Sequence, residues 1–527
     1  MKQELYQWQE ECLKRWKTSG RRGIVQAVTG SGKTRLALEA IRQLQKELPE
    51  NLRIKIVVPT GGLMRQWNRI LREYLTAVGK ENYHAENNVS SIGLRGGGYR
   101  DPLDRRYMIY VINSARYELA REILSELKNG DSVLLIADEC HHYGSEQNRL
   151  IFEFLPYVES YSENLFTLGL TATLPYGEER DYLISVLGKV IYSYGMKQAS
   201  AFRTVCPYDV YHISLDFQEE ERAEYEDISE HMVHIFQKLQ KNCPELRYMN
   251  RKESFELIRK IAGETKGREA EAAVLYLKLA YKRKSLVCLA SARCDCACDL
   301  MRCLGISRKV IIFGERISQA EQLYWLLEKE YPGRVGRYHS EMGGQANKNT
   351  IERFREGTLR ILIACKAIDE GIDLPDAEIG IILSGTSAQR QKIQRLGRIL
   401  RNQKLKECAS LYYLHIADNV EENCFLPDEK SRFSFELEYV KEEKTFCHPV
   451  YDRMAQKVLD EFSLGTVQAQ EDKRREITRC LHIGCVHSDW MRENEDLERR
   501  IKNSRYVRER NYWICMKKIA GYRKSAN

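Results

Sequence analysis

Apolar runs and helical periods alternate along the chain from residue 23 onward. GIVQAV (23–28) reads as a buried strand. After a glycine-rich turn, Leu36, Ala40, Ile41, Leu44 and Leu48 recur at helical spacing until Pro49 stops the run. RIKIVVP (53–59), YMIYVI (107–112), SVLLIADE (132–139) and LFTLGLTAT (165–173) follow, mostly separated by helical stretches. Near-continuous apolar strands alternating with helices predict a parallel sheet covered on both faces. The rhythm resumes with KVIIFGE (309–315), RVGRYHS (334–340), RILIAC (360–365), EIGIIL (378–383) and SLYYLHI (410–416). The expectation is an α/β protein with two tandem parallel-sheet domains, 1–205 and 306–418. A Glu-, Lys- and Arg-rich helical linker or insertion (206–305) lies between them, and a mixed, mainly helical, basic region (419–527) follows. Within the insertion Tyr225, Ile228, Met232, Ile235, Phe236 and Leu239 form one apolar stripe, which core packing explains.

Composition narrows the class. A chain of 527 residues exceeds a single core. With 43% hydrophobic and 30% charged residues it reads as globular with a well-solvated surface. No apolar run approaches the roughly 20 residues that span a bilayer, and MKQELYQWQEECLKRW has no secretory h-region. A cytoplasmic protein with no membrane partner is expected, its 16 cysteines reduced. The net charge of +8 is too small to name a polyanionic partner by itself.

AVTGSGKT (27–34) carries the first candidate chemistry. A strand feeding a glycine-rich turn and then a helix is the setting of a phosphate-binding loop, although Ala27 stands where the general pattern has glycine. Backbone N–H groups of Thr29, Gly30, Ser31 and Gly32 would wrap the phosphates of ATP; Lys33 would reach the terminal ones, and Thr34 would ligate Mg2+. LLIADECHH adds Asp138 and Glu139 at the end of another buried strand. Asp138 would hold the metal, and Glu139 would orient or deprotonate the attacking water.

AVTGSGKT, DECHH, TAT (171–173) and QRLGRILR (394–401), in this order, resemble the superfamily 2 helicases and translocases of the DEAD/DEAH type. Within that group the chain is similar to the branch holding XPB-like translocases and the ATPase subunits of type III restriction enzymes. The resemblance covers both α/β domains and implies two RecA-like domains. It makes Gln9 of LYQWQEECL (5–13) an adenine reader and TATLP (171–175) a coupling element. VVPTGGLMRQW (57–67) and VINSA (111–115) become strand-contacting motifs, while FGE (313–315) and YHS (338–340) match the second domain. In KAIDEGIDLP (366–375), Gly371 and Asp373 would lie at the nucleotide edge. Gln394 and Arg395 would link the cleft, Gln394 binding the nucleotide, and Arg398 and Arg401 would be arginine fingers. The DECH box departs from DEAD, and DEGIDLP is closer to the XPB-like branch, so the implied activity is an ATP-dependent DNA helicase or translocase, DNA favoured over RNA as the nucleic-acid partner. An RNA helicase, and an ATP-dependent switch that clamps DNA and recruits a partner, remain the alternatives. The family's habits add a restriction or phage-defence setting, with a nuclease or other protein as partner.

Weaker signals stay open. Residues 499–524 hold ten basic residues against one acid, interleaved with Tyr506, Tyr512, Trp513 and Tyr522. These aromatics could stack on bases, or form a core stripe under a basic face. Cys294, Cys296, Cys298 and Cys303, and likewise Cys480, His482, Cys485 and His487, gather metal-ligand types without the usual zinc spacing, so packing is the expected role. Asp428, Glu442 and Lys444 only loosely echo a nuclease, and no cleavage activity is expected of this chain.

Overall fold

The computed structural model describes residues 5–28, 30–49, 51–79, 91–158, 163–195, 198–199, 206–264, 267–365, 376–384, 408–418, 431–461 and 467–526. The described chain divides into two compact units, the first built mainly from residues up to Pro207 and the second from Tyr208 onward. Among the described residues no helix is long and apolar enough to cross a membrane.

The first unit is an eight-stranded sheet: β1 (Arg22–Ala27), β2 (Leu52–Val58), β3 (Ile92–Gly96), β4 (Tyr99–Arg100), β5 (Tyr107–Val111), β6 (Ser132–Asp138), β7 (Leu165–Thr171) and β8 (Val190–Tyr194). Its order is β4-β3-β5-β2-β6-β7-β1-β8. Every pairing is parallel except β3 with the two-residue β4. β6 and β7 are buried at every position, because helices cover both faces and leave no polar side of the sheet to solvate. A buried lysine interrupts this core. Lys55 of β2 is fully buried and bonds Glu122 and, at 2.7 Å, Glu126 of the helix Ile112–Lys128, while the Tyr110 hydroxyl donates to Glu122.

The second unit is also eight-stranded: β9 (Tyr208–Leu215), β10 (Val310–Gly314), β11 (Val335–Tyr338), β12 (Ile361–Cys365), β13 (Ile379–Ile382), β14 (Ala409–Ile416), β15 (Phe433–Val440) and β16 (Thr445–Cys447). The order is β11-β12-β10-β13-β14-β9-β15-β16, with β15 and β16 an antiparallel hairpin. This departs from the sequence reading at both ends. The segment 206–305, read as helical, opens with β9, and the region beyond 419 donates β15 and β16. The reason lies in the residues: β9 is YDVYHISL, whose Asp209 and His212 break the apolar run, yet all but one of its positions are buried. Asp209 is made tolerable by a bidentate pair with Arg432 at 2.9 and 2.6 Å. Tyr211 completes the join, stacked between Tyr412 and Phe435.

Between β9 and β10 the helices Glu219–Asn242, Arg251–Glu264 and Arg268–Leu289 close a small core of their own around Leu239, Leu246, Ile258, Ile261 and Ala273. Ile235 and Phe236 pack on it, while Tyr225 packs on the main core. The last two helices, Asn494–Asn503 and Val507–Ala526, bury Leu497, Cys515, Met516, Ile519 and Ala520 in that main core.

Candidate active site

The phosphate-binding loop leaves the carboxyl end of β1, and the acidic pair ends β6, two strands away in the same parallel sheet. Ligands bind at the carboxyl ends of such strands, because loops there are free to diverge while the helices behind them point their amino ends at the site. Gly30 and Gly32 have φ of +85° and +96°, which keep the loop open; a side chain at either would be strained. Gly32 caps the helix Lys33–Glu47 with no side-chain hydrogen bond, so the helix's positive end is left for an anion. Ala27 is fully buried, and its carbonyl accepts from Lys33 Nζ at 2.9 Å. The ammonium is thus parked on the loop's own backbone, and the position's side chain meets core rather than loop. Ser31 is buried and donates to Val28 O at 2.7 Å, while Thr34 is half-buried in the first helical turn. Thr29 lies outside the described residues.

Gln9 is buried beside this loop on the helix Gln7–Thr18, whose inner face also carries Cys12, Leu13 and Trp16. Its amide is engaged at both ends: Oε1 accepts from Tyr6 N at 3.0 Å, and Nε2 donates to Gly32 O at 3.0 Å. A Cβ on Gly32 would fall 2.8 Å from that Nε2. Trp16 Nε1 donates to Thr167 O at 2.9 Å and pins the helix to β7.

Asp138 is buried, and burial together with the neighbouring Glu139 carboxylate pushes it up to about 6. The Trp67 indole, which donates to Asp138 Oδ2 at 2.8 Å, and the Lys33 ammonium both pull it back down. Loop and acidic strand end lie at the carboxyl edge of the same sheet, β1 and β6 being separated by β7 alone. Glu139 sits at φ +48°, a conformation rare for a non-glycine residue. Its Oε2 is buried without a hydrogen-bond donor and faces His141 Nδ1 at 3.5 Å. His141 Nδ1 is also 3.0 Å from Thr171 Oγ1. Because the Thr171 hydroxyl donates to Thr173 O at 2.7 Å, the imidazole is the donor in that pair. A continuous chain thus runs from Glu139 through His141 to the 171–173 element.

These residues fit a magnesium nucleotide: an uncapped helix amino end, a lysine held on the loop's own backbone, and a buried Glu139 oxygen that has no donor among the described residues. Gly371, Asp373, Gln394, Arg398 and Arg401 lie outside the described residues. Two contacts were not foreseen. Trp67 belongs to a segment read as strand-contacting, and nothing local in LMRQW announces a partner 71 residues away. The His141–Thr171 pair spans 30 residues and joins two neighbouring strand ends; only the first histidine after DEC hinted at it.

The weaker candidates resolve differently. Cys294, Cys296 and Cys298 lie buried in the helix Ala292–Leu304, where burial pushes Cys294 and Cys298 up to about 12. Burial lowers His487 to about 4. Among the described residues no group of three or more histidine, cysteine or acidic side chains is arranged to hold a metal. Glu442 and Lys444 occupy the turn between β15 and β16, and Asp428 lies outside the described residues. Of the C-terminal aromatics, Tyr512, Trp513 and Tyr522 pack on the core and only Tyr506 is exposed. Lys517, Lys518 and Lys524 pair with Glu498, Glu461 and Glu493, so the core-stripe reading describes this tail.

Comparison with known proteins agrees with this geometry. Residues 2–176 match the model of the type III restriction enzyme res subunit, and residues 292–403 match the helicase conserved C-terminal domain. The DNA 3'-5' translocase XPB2 of Sulfurisphaera tokodaii is 24% identical over 399 residues, 76% of this chain and 79% of that protein. Among solved structures, S. cerevisiae Dbp5 bound to RNA and ADP BeF3 aligns with a TM-score of 0.50 at 14% identity, covering 83% of this chain and 90% of Dbp5. A fragment of a putative HsdR subunit of a type I restriction enzyme from Vibrio vulnificus YJ016 aligns at 0.50 and 17% identity, covering 82% of this chain and 68% of that one. The structural likenesses speak for the fold alone.

Proposed function

The chain belongs to the superfamily 2 helicases and translocases, in the branch of XPB-like and restriction-subunit ATPases, and from that premise we propose that it is an ATP-driven motor acting on duplex DNA. It is an enzyme, a nucleic-acid-dependent ATPase of helicase type. The observation that carries the site is geometric: the phosphate-binding loop leaves β1 and buried Asp138 ends β6 on the same carboxyl edge of one parallel sheet.

Magnesium-bound ATP supplies the phosphoanhydride bond whose hydrolysis drives the cycle. The loop from Thr29 to Gly32 and the helix end behind it would hold the phosphates. Lys33 would exchange the Ala27 carbonyl for the terminal phosphates, and Thr34 and Asp138 would hold the metal. Glu139 Oε2, lacking a donor, would accept a proton from the attacking water. Its neighbour His141 would pass the change of charge at Glu139 to Thr171 and Thr173. Gln9 would read adenine with its second Nε2 hydrogen and the remaining lone pair of Oε1. Arg398 and Arg401 would complete the site with Gly371, Asp373 and Gln394, and arginine fingers are worth about 10³–10⁵ in rate. DNA is preferred over RNA because the translocase relative spans most of both chains, and the res-subunit match over residues 2–176 supports proposing a restriction setting with a separate nuclease partner.

The test is ATP turnover with no polynucleotide, duplex DNA, single-stranded DNA and RNA, for the wild type, Lys33→Ala and Arg398→Ala. Duplex DNA is expected to stimulate most, and both substitutions to abolish turnover. Equal rates in all four conditions would remove the motor and leave a generic nucleotide hydrolase.

A further inference from the structure

Beyond residue 403 neither family model covers the chain, and in that region the second unit's sheet comes to its end. β16 (Thr445–Cys447) is the outermost strand: β15 pairs with one side of it, and among the described residues no strand pairs with the other. Such an edge carries unmatched N–H and C=O groups, a template for one more strand. A cavity of about 800 Å³ lies there, between the β15–β16 hairpin and the helices Pro449–Glu461 and Val467–Cys485. Thr445, Phe446 and Cys447 all line it. Successive side chains of a strand point to opposite faces, so a cavity that meets three in a row runs along the strand's edge rather than under one face.

The walls say what would fill it. The floor is apolar: Phe446, Tyr451 and Leu481 are buried, and the Tyr451 hydroxyl is spent on Leu481 O at 2.7 Å. The rim is cationic. Lys444, Arg474 and Arg479 are exposed and form no ion pair among the described residues, whereas Arg475 is paired with Glu471 at 3.1 Å. The two other acids of the lining face neutral donors, Asp452 the His448 N–H at 2.8 Å and Glu443 the Thr445 hydroxyl at 3.4 Å. Lys444 stands at φ +55°, a conformation that glycine adopts without strain, yet the chain carries a cation there. A second copy of this chain would bring the same cations to the same edge, so charge disfavours self-pairing. A nucleic-acid strand would find cations, but the tyrosine and phenylalanine of the lining are buried, and it has no peptide groups to match the edge.

We propose that the free edge of β16 is a docking site for an extended acidic segment of a partner protein. The segment adds as a strand beyond β16, lays apolar side chains over Phe446 and Leu481, and sets carboxylates against Lys444, Arg474 and Arg479. This goes beyond the motor function and does not depend on it. The probe is a fluorescent eight-residue peptide alternating glutamate with valine, titrated into the full chain by anisotropy at low salt. A lysine–valine peptide and a single-stranded DNA 20-mer are titrated alongside. The wild type is expected to bind the glutamate peptide, and amide exchange at 445–447 to slow when it does. Charge reversal at two exposed positions, Arg474→Glu with Arg479→Glu, is expected to weaken that binding at least about tenfold and to confer binding of the lysine peptide. ATP turnover, with and without duplex DNA, is expected to stay unchanged in the double variant. A glutamate peptide that fails to bind at millimolar concentration overturns the proposal, as does binding that leaves exchange at 445–447 unaltered. Equal binding by wild type and double variant overturns the acidic partner. DNA affinity that falls in the double variant, with no peptide bound by the wild type, assigns the arginines to nucleic acid instead. In each of these outcomes, wild-type turnover stimulated by duplex DNA leaves the motor reading standing.

Discussion

Gly32→Ala tests how closely the loop and the first helix are fitted to each other. At φ +96° an alanine bears a backbone penalty of about 1–2 kcal/mol. Its Cβ would lie 2.8 Å from Gln9 Nε2, so the amide must swing away, losing its bond to Gly32 O and loosening the one from Tyr6 N, about 1 kcal/mol each. The single substitution should therefore cost roughly 3–4 kcal/mol. Gln9→Ala removes the same two bonds and should cost roughly 2 kcal/mol. In the double variant the clash and the shared bonds are counted once, so it should cost roughly 3–4 kcal/mol rather than the 5–6 of a simple sum, a coupling of about 2 kcal/mol. Hydrogen exchange of amides in the helix Lys33–Glu47 reports on this unit by itself and supplies the local opening free energies. Additive losses would show that Gln9 does not meet the loop and would refute the fitting described here.

Three further outcomes follow. Glu126 is pushed up to about 7 by burial, from 4.5, despite the Lys55 ammonium. A carboxyl whose folded value is raised binds its proton more tightly when folded, so its contribution is full below about pH 4.5 and is lost as pH rises to about 7, a ceiling of roughly 3 kcal/mol. Melting of the first unit should decline over that window, and Glu126→Gln should flatten the decline; a parallel profile would contradict the assignment. Lys55→Met leaves two buried acids without their cation and should destabilise the unit by about 3–5 kcal/mol, read by urea titration with amide exchange. Removing residues 499–527 takes Cys515, Met516, Ile519 and Ala520 out of the core, so the second unit should lose cooperative melting, whereas a folded truncation would return the tail to an independent role.

The strands most readily legible in the sequence were those buried on both faces. SVLLIADE and LFTLGLTAT became β6 and β7 because helices on either side demand apolar residues at every position. The nucleotide loop and the acidic pair were legible for the same reason, each being a local string at a strand end. β9 and β15 were not. Asp209 and His212 interrupt the apolar run of β9, which signals a strand only once Arg432 supplies a long-range partner. The alternation FSFELEYV of β15 is a local strand signal, masked by the charged stretch around it. The Trp67 contact was hidden likewise, since a hydrogen bond across 71 residues leaves no periodicity to read. For the C-terminal aromatics, charge pointed outward while burial of Cys515 and Met516 pointed inward, and the latter won.

The place of β9 bears on how the protein is made. Asp209 meets Arg432, 223 residues further along, so during synthesis at about 5–20 residues per second the strand waits roughly 10–45 s for that neighbour. Throughout that interval a bare strand edge leaves the ribosome with aromatic residues upon it. The carboxylate of Asp209 keeps such an edge from zipping onto another nascent chain, and the late arrival of Arg432 cancels the charge when the correct partner appears.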